Sequence, residues 1–295
     1  MVVRDRFPPL YAMRQAVDLT DLFELKQLIS RLDFVPRKNS GQNFLVDAGV
    51  RDFMLDAAEL QADDQVIEVG PGLGVMTEGL LTRVSRVISI ELDKALHEHL
   101  QLHFAEAAGL ELIQGDALEV DLKGLVRSGA DIMVSNLPYS AGSRILYELA
   151  GPVDAPRKMV VMLQTDVGER ITAVPGTKRY GILGIWLQTF YETRILREVG
   201  ASSFHPRPRV GSAIVELTWR TTPRVEVADW ALYQRLIKVC FSQRRKQLGT
   251  ILRKAPSSVR CTQDDLIAVG LDPTIRPECL TVEEWGALAN FLTAS

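Results

Sequence analysis

From Gln65 to about Leu217 this chain alternates short apolar β-rich runs with helical patterns, and that alternation restricts its fold more than any other feature. The runs are Gln65–Val69, Val87–Glu91, Leu110–Gln114, Asp131–Ser135 and Met159–Leu163. Strands that are apolar continuously, and not at every second residue, are buried on both faces. Helices between such strands supply the crossovers that parallel pairing needs. The expectation is an α/β protein with a doubly wound, Rossmann-like sheet. Two later runs, Arg194–Val199 and Ala213–Trp219, have only a loop between them and suit antiparallel pairing. The stretch Trp219–Val227 contains Pro223 and two threonines and reads as a linker. Beyond it the pattern is helical over Trp230–Phe241, Gln243–Lys254, Gln263–Val269 and Val282–Leu292, which predicts a small C-terminal all-helical domain. The expected division is an extension over 1–40, a catalytic domain over 41–220 and a helical domain over 221–295. In the extension, Asp18 or Thr20 can cap a helix with the stripe Leu22, Leu25, Ile29 and Leu32, ending before Pro36.

Composition narrows the class. The 295 residues are enough for one substantial core and a smaller accessory unit. No apolar run approaches the roughly 18–20 residues that cross a bilayer, so no membrane partner is expected. The N-terminus lacks an apolar signal core and carries Asp5, Asp18, Asp21, Glu24 and Asp33, unlike an acid-poor transit peptide, so a cytoplasmic protein is expected. The three cysteines, Cys240, Cys261 and Cys279, lack C-x-x-C spacing and read as reduced thiols. Three of the four histidines, His97, His99 and His103, read as an exposed helix face, and no metal is expected. A net charge of −3 makes no global case for nucleic acid, so any such case is local.

The first strand runs into Glu68-Val69-Gly70-Pro71-Gly72-Leu73-Gly74. Glycines there allow a tight turn and close approach of a ligand, with a helix N-terminus behind it. A nicotinamide fingerprint would need its third glycine at Val75, so the spacing is instead E-x-G-x-G-x-G, the form that methyltransferases of this fold use for S-adenosylmethionine. Two acids strengthen the reading. Glu91 ends the second strand 21 residues after Gly70, near the offset of a carboxylate that holds ribose hydroxyls. Asp116 follows the third strand, where it can accept a hydrogen bond from an exocyclic adenine amine. Either acid alone reads as a solvated loop residue; both at successive strand ends point to an adenosyl cofactor.

After the fourth strand comes Asn136-Leu137-Pro138-Tyr139. Such a tetrapeptide is often only a proline turn, but this one caps the strand beside the cofactor crevice. An adenine amine is a poor nucleophile because its lone pair is delocalised into the ring. The Asn136 side-chain oxygen and the Leu137 or Pro138 carbonyl can accept its two N–H bonds, favouring a pyramidal nitrogen with its lone pair aimed at a methyl donor. Pro138 stiffens the loop, and Tyr139 offers a face for stacking worth about 1–3 kcal/mol per base. Catalysis would then be positioning and electrostatics.

With these motifs in order, the sequence resembles the rRNA adenine N6-dimethyltransferase family, in its bacterial small-subunit branch, from about Pro36 to Leu252. Ser40–Asp47 is similar to its G-Q-N-F-L segment, Glu169-Arg170 and Pro175–Gly181 to its middle segment, and Phe204–Ser212 to its F-x-P-x-P-x-V-x-S. Phe241–Lys246 resembles the basic helix of the ribosome-assembly branch. The resemblance implies a class I methyltransferase sheet in which Asn43, Leu45, Gly70, Glu91, Asp116 and Asn136 contact S-adenosylmethionine. It implies that Asn136 faces the target amine and makes Tyr139 and Phe204 candidates to sandwich the flipped base, although Phe204 is equally well a core residue. The implied reaction is four methyl transfers, making two adjacent dimethyladenines in the 3′-terminal hairpin of small-subunit rRNA within the immature subunit, with the enzyme acting as a monomer.

From Ala231 to Arg260 there is no acid, and the stretch carries Arg235, Lys238, Arg244, Arg245, Lys246, Arg253, Lys254 and Arg260. Such a run is commonly a solvated helix face, but here an acidic protein concentrates positive charge on one element, as a phosphate-tracking surface requires. RNA contact is expected from Arg244, Arg245 and Lys246, and from Arg207 and Arg209 beside the crevice, with Arg37 and Lys38 opposite. Three other functions compete: methylation of large-subunit rRNA, a non-catalytic assembly role, and small-molecule methylation.

Overall fold

The computed structural model describes residues 18–32 and 42–294. Pro36, Arg37, Lys38, Ser40 and Gly41 lie outside the described residues. In chain order the elements are α1 (Leu22–Arg31), β1 (Phe44–Leu45), α2 (Ala48–Ala57), β2 (Gln65–Val69), α3 (Val75–Leu81), β3 (Arg86–Glu91), α4 (Lys94–His103), β4 (Leu110–Gln114), α5 (Leu122–Arg127) and β5 (Ile132–Asn136). There follow α6 (Gly142–Leu149), β6 (Lys158–Gln164), α7 (Thr165–Ile171), α8 (Ile182–Phe190), β7 (Tyr191–Val199), β8 (Phe204–His205), β9 (Ser212–Trp219), α9 (Trp230–Ser242), α10 (Leu248–Arg253), α11 (Gln263–Ala268) and α12 (Val282–Ala294).

The main sheet has seven strands in the order β4-β3-β2-β5-β6-β9-β7. The first five pair parallel, and β9 enters antiparallel between β6 and β7. This is the doubly wound α/β architecture that the continuous apolar runs imply. Alternate strand residues serve opposite faces: Val66, Val87, Ile132 and Val134 join one buried cluster, and Ile67, Ile88 and Met133 the other. The chain winds outward through β3 and β4, then returns across β2 to β5, so the strand order reverses at β2/β5. Ligands of open α/β sheets bind outside the strand carboxyl ends at such a reversal. The pairing register of β2 with β5 covers only Val66–Ile132 and Ile67–Met133, and beyond it the Val69 N–H donates to Ser135 Oγ at 2.9 Å. A side chain takes over from the backbone ladder there, and the crevice opens.

α1 is capped by Asp21, whose Oδ1 accepts from Phe23 and Glu24 N–H at 2.8 and 2.9 Å; Asp18 holds Thr20 instead. Leu25 and Leu28, with Leu19, enter the cluster that contains β1, α2 and α3, while Leu22 is exposed. On the opposite side, α9 and α12 pack against α8. Trp186 and Phe190 of α8 meet Trp230 and Tyr233 of α9 at centroid distances of 4.9–6.4 Å, and one continuous buried cluster runs from β2 to α12. The helix expected over Gln243–Lys254 is shorter than its pattern: α9 stops at Ser242, a turn occupies 243–247, and α10 begins at Leu248. Tertiary bonds outbid helix propensity there, since the Leu248 N–H donates to the Ile275 carbonyl and the Arg244 side chain is held elsewhere. His97 and His99 are buried, at 8% and 7% exposure, which corrects the expectation of an exposed histidine face. Burial depresses the His99 imidazole to about 4, so it stays neutral in the core. No helix among the described residues is long and apolar enough to cross a membrane.

Candidate active site

The crevice is a cleft of about 940 Å³ lined by Gln42–Leu45, the β2–α3 turn, Glu91 to Leu96, Asp116 and Asn136 to Ala141. Gly70, Gly72 and Gly74 all have positive φ in the turn from β2 to α3. A Cβ on Gly72 would stand 3.0 Å from the Phe44 ring, and one on Gly74 would stand 2.7 Å from Phe104. Both the backbone conformation and the space therefore require glycine at these two positions.

Behind this turn lie two buried carboxylates. Glu91, 5% exposed, accepts the Gly72 N–H at 3.1 Å on one oxygen and the Asp93 N–H at 2.8 Å on the other. Burial pushes its carboxyl up to about 7 against the pull of those donors. Each oxygen keeps a lone pair for a further donor, which suits a vicinal diol. Glu68, 1% exposed and also raised to about 7 by burial, accepts the hydroxyls of Thr77 and Ser89 at 2.7 Å each. The first residue of the glycine motif thus ties α3 to β3. At the end of β4, Asp116 Oδ1 accepts the Leu118 N–H at 2.9 Å, and its half-buried carboxylate borders the cleft.

The end of β5 carries the reactive geometry. Asn136 Nδ2 donates to the Asn43 carbonyl at 3.2 Å. A carbonyl can only accept, so this contact fixes which end of the amide is NH₂ and leaves Oδ1 as the acceptor. The Leu137 N–H donates to the Met162 carbonyl at 3.0 Å. The Pro138 carbonyl accepts from Ala141 and Gly142 N–H at 3.1 and 2.8 Å, which occupies both of its lone pairs. Of the two carbonyls open to the target amine by sequence, Leu137 is the one that no described backbone donor takes. Tyr139 is half-buried, and its hydroxyl lies 2.5 Å from Ser212 Oγ.

β1 and β8 form a two-stranded ribbon, Phe44 opposite His205 and Leu45 opposite Phe204, that brings Asn43–Leu45 to the cleft. Ser203 Oγ donates to Asp47 Oδ2 at 2.8 Å and the Val46 N–H to the Ser203 carbonyl at 2.9 Å, so the ribbon is bonded along its length. Leu45 is buried and lines the cleft. Phe204 is 2% exposed and belongs to the core cluster with Leu45 and Val50, so its ring is covered in this arrangement, and of the two rings expected to sandwich a base Tyr139 is the one that lines the cleft. Sequence reasoning missed Ser135 and Ser203, because a lone serine carries no periodic or motif signal; Ser212 closes the Phe204–Ser212 segment, but its pairing with Tyr139 leaves no trace in sequence.

A model of the ribosomal RNA adenine dimethylase family matches residues 34–293. The chain belongs to that family. A "Ribosomal RNA small subunit methyltransferase A" from Clostridium botulinum is 36% identical over 266 residues, which is 90% of this chain and 97% of the relative. Its counterpart from Geobacter metallireducens is 37% identical over 263 residues, 88% of this chain and 96% of the relative. Among solved structures, a dimethyladenosine transferase from Plasmodium falciparum superposes with a TM-score of 0.70 at 24% identity, covering 83% of this chain and 95% of its own. The 23S rRNA methyltransferase ErmE superposes with a TM-score of 0.63 at 25% identity, covering 85% of this chain and all of its own.

In this dimethylase, the basic residues divide into two groups. Arg207 and Arg209 are exposed on the 206–211 loop, between the ribbon and β9. Arg245 and Lys246 are exposed in the turn after α9, not on a helix. Arg244 is different: Nη1 donates to the Lys178 carbonyl at 2.8 Å and Nη2 to the Thr177 carbonyl at 3.0 Å, with Glu278 3.8 Å from Nε. With two of its five N–H groups donated to the 174–180 loop, Arg244 clamps the C-terminal helices to the catalytic body.

Proposed function

We propose that this chain transfers methyl groups from S-adenosylmethionine to the N6 amine of two adjacent adenines in the 3′-terminal hairpin of small-subunit rRNA, late in subunit assembly. The observation that carries the reading is the pair of acceptors at the end of β5: Asn136 Oδ1, oriented by the Asn43 carbonyl, and the neighbouring Leu137 carbonyl. Acceptors on two consecutive residues would match the two N–H bonds of an exocyclic amine. They hold its protons and draw its lone pair out of conjugation. Pro138, locked by two N–H bonds to its carbonyl, keeps the acceptors in place, and Tyr139 gives the extruded base a stacking face. Phe204 would complete a sandwich only once its ring is uncovered.

The cofactor fits the residues present. Gly70 and Gly72 admit close approach, Glu91 has capacity for ribose hydroxyls, Asp116 can accept from the adenine amine, and Asn43 and Leu45 line the same cleft. When bound, S-adenosylmethionine supplies the electrophilic methyl group. The chain contributes orientation, exclusion of water and stabilisation of charge on the target nitrogen, effects worth about 10²–10³ in rate for one well-placed group.

The same reading divides the chain into a cofactor-binding unit over 41–220 and a subunit-contacting helical unit over 221–295, acting as a monomer in the cytoplasm on immature small subunits. Arg207, Arg209, Arg245 and Lys246 would position RNA phosphates, and shape would select the site. The small-subunit enzymes that match at 36–37% identity over about nine-tenths of the chain favour the small subunit over its nearest rival. Asn136→Ala tests the catalytic assignment: methyl transfer should fall at least about a hundredfold while binding to small subunits persists. Retained turnover, or loss of both, rules out the role given to Asn136.

A further inference from the structure

We propose that Ser212 is a positioning residue that fixes the Tyr139 ring in its stacking orientation, an inference that rests on the role given to Tyr139 above. The hydroxyl of Tyr139 is 2.5 Å from Ser212 Oγ, and Ser212 is 1% exposed. Ser212 opens β9 with its backbone in register with Gln164 of β6 on one side and Val199 of β7 on the other. The carbonyl of the preceding Gly211 accepts the Thr165 N–H at 3.0 Å. Its side chain therefore projects from a backbone held on both sides within the sheet and cannot follow a moving partner.

Tyr139 needs such a post. Its backbone end is set by the turn in which Pro138 accepts two N–H bonds, but a tyrosine ring still rotates about χ1 and χ2. The hydroxyl contact supplies the second fixed point, and two points define where the ring lies beside the cleft. Ser212 also ends the 206–211 loop that carries Arg207 and Arg209, so the base face and that loop share one anchor.

The test is steady-state methyl transfer to small subunits by the full chain and its variants Ser212→Ala, Tyr139→Phe, the double variant and Ser212→Thr, with Tyr139→Ala as reference. Each loss of the hydroxyl contact should lower kcat about fivefold to tenfold, the effect of one hydrogen bond, with KM for S-adenosylmethionine unchanged. The double variant should be no slower than Tyr139→Phe alone, and Ser212→Thr should restore turnover. Multiplying losses in the double variant, or a Tyr139→Phe enzyme as fast as wild type, overturns the proposal. Because Tyr139→Phe breaks the contact from the half-buried side, that outcome is readable even where Ser212→Ala folds poorly. An unimpaired Tyr139→Ala enzyme would remove the stacking role as well. A slow Tyr139→Ala with an unaffected Tyr139→Phe would remove Ser212 alone.

Discussion

Replacing Arg244 by alanine should destabilise the fold while leaving the RNA-facing charge largely intact, the reverse of what a phosphate ligand would do. The guanidinium makes two hydrogen bonds to the carbonyls of Thr177 and Lys178, and Glu278 stands at ion-pair distance. Hydrogen bonds from a charged donor are worth about 1.5–3 kcal/mol each when buried. The Arg244 side chain is 33% exposed, so the lower part of that range applies, and the 3.8 Å ion pair adds less than about 1 kcal/mol. The sum is about 3–4 kcal/mol, or roughly 5 °C in Tm for a chain of this size. Thermal unfolding of Arg244→Ala and Arg245→Ala separates the two roles. Arg245 is exposed, so its alanine variant should unfold within about 1 °C of the parent and instead bind small subunits with a salt dependence shallower by about one phosphate contact. An Arg244→Ala protein with unchanged Tm and a reduced salt slope would refute the clamp.

Two further perturbations probe the cofactor side. Burial holds Glu91 and Glu68 protonated up to about 7, well above the 4.5 of a free glutamate. The folded chain thus binds extra protons between those values, and its stability should fall as pH rises across them. Hydroxyls donated to Glu91 favour its ionised form, so S-adenosylmethionine affinity should rise from about pH 5.5 to 7.5 with proton release, and calorimetry in buffers of different ionisation enthalpy reads that release. A pH-independent affinity would show that the diol does not meet Glu91. Gly72→Ala places a Cβ 3.0 Å from Phe44 at a φ of 62°, so it should cost about 1–2 kcal/mol of stability and weaken cofactor binding about tenfold, both readable by thermal shift with and without cofactor.

Much of the fold was legible because continuous apolar strands leave a strong signal: the expected Gln65–Val69 and Leu110–Gln114 match β2 and β4 residue for residue. The antiparallel pairing of β7 with β9 followed from the loop between them, but the insertion of β9 beside β6 did not, since pairing order leaves no local trace. The β1–β8 ribbon escaped notice because two-residue strands have no period, yet it delivers Asn43 to Asn136. Charge alone left one side chain's partners hidden. Arg244 belongs to a basic run, and only tertiary structure shows its fork facing carbonyls 66 and 67 residues away in sequence. The histidines misled for a related reason: polarity suggested a wet face, while burial keeps His99 neutral and inside.

The central claim is tested most directly by transfer of labelled methyl groups to small subunits from cells lacking this modification, with large subunits and free adenosine alongside. The account predicts label in dimethyladenine of small-subunit rRNA alone, and none after Asn136→Ala. Label confined to large subunits, or no transfer from a chain that binds S-adenosylmethionine, would contradict it.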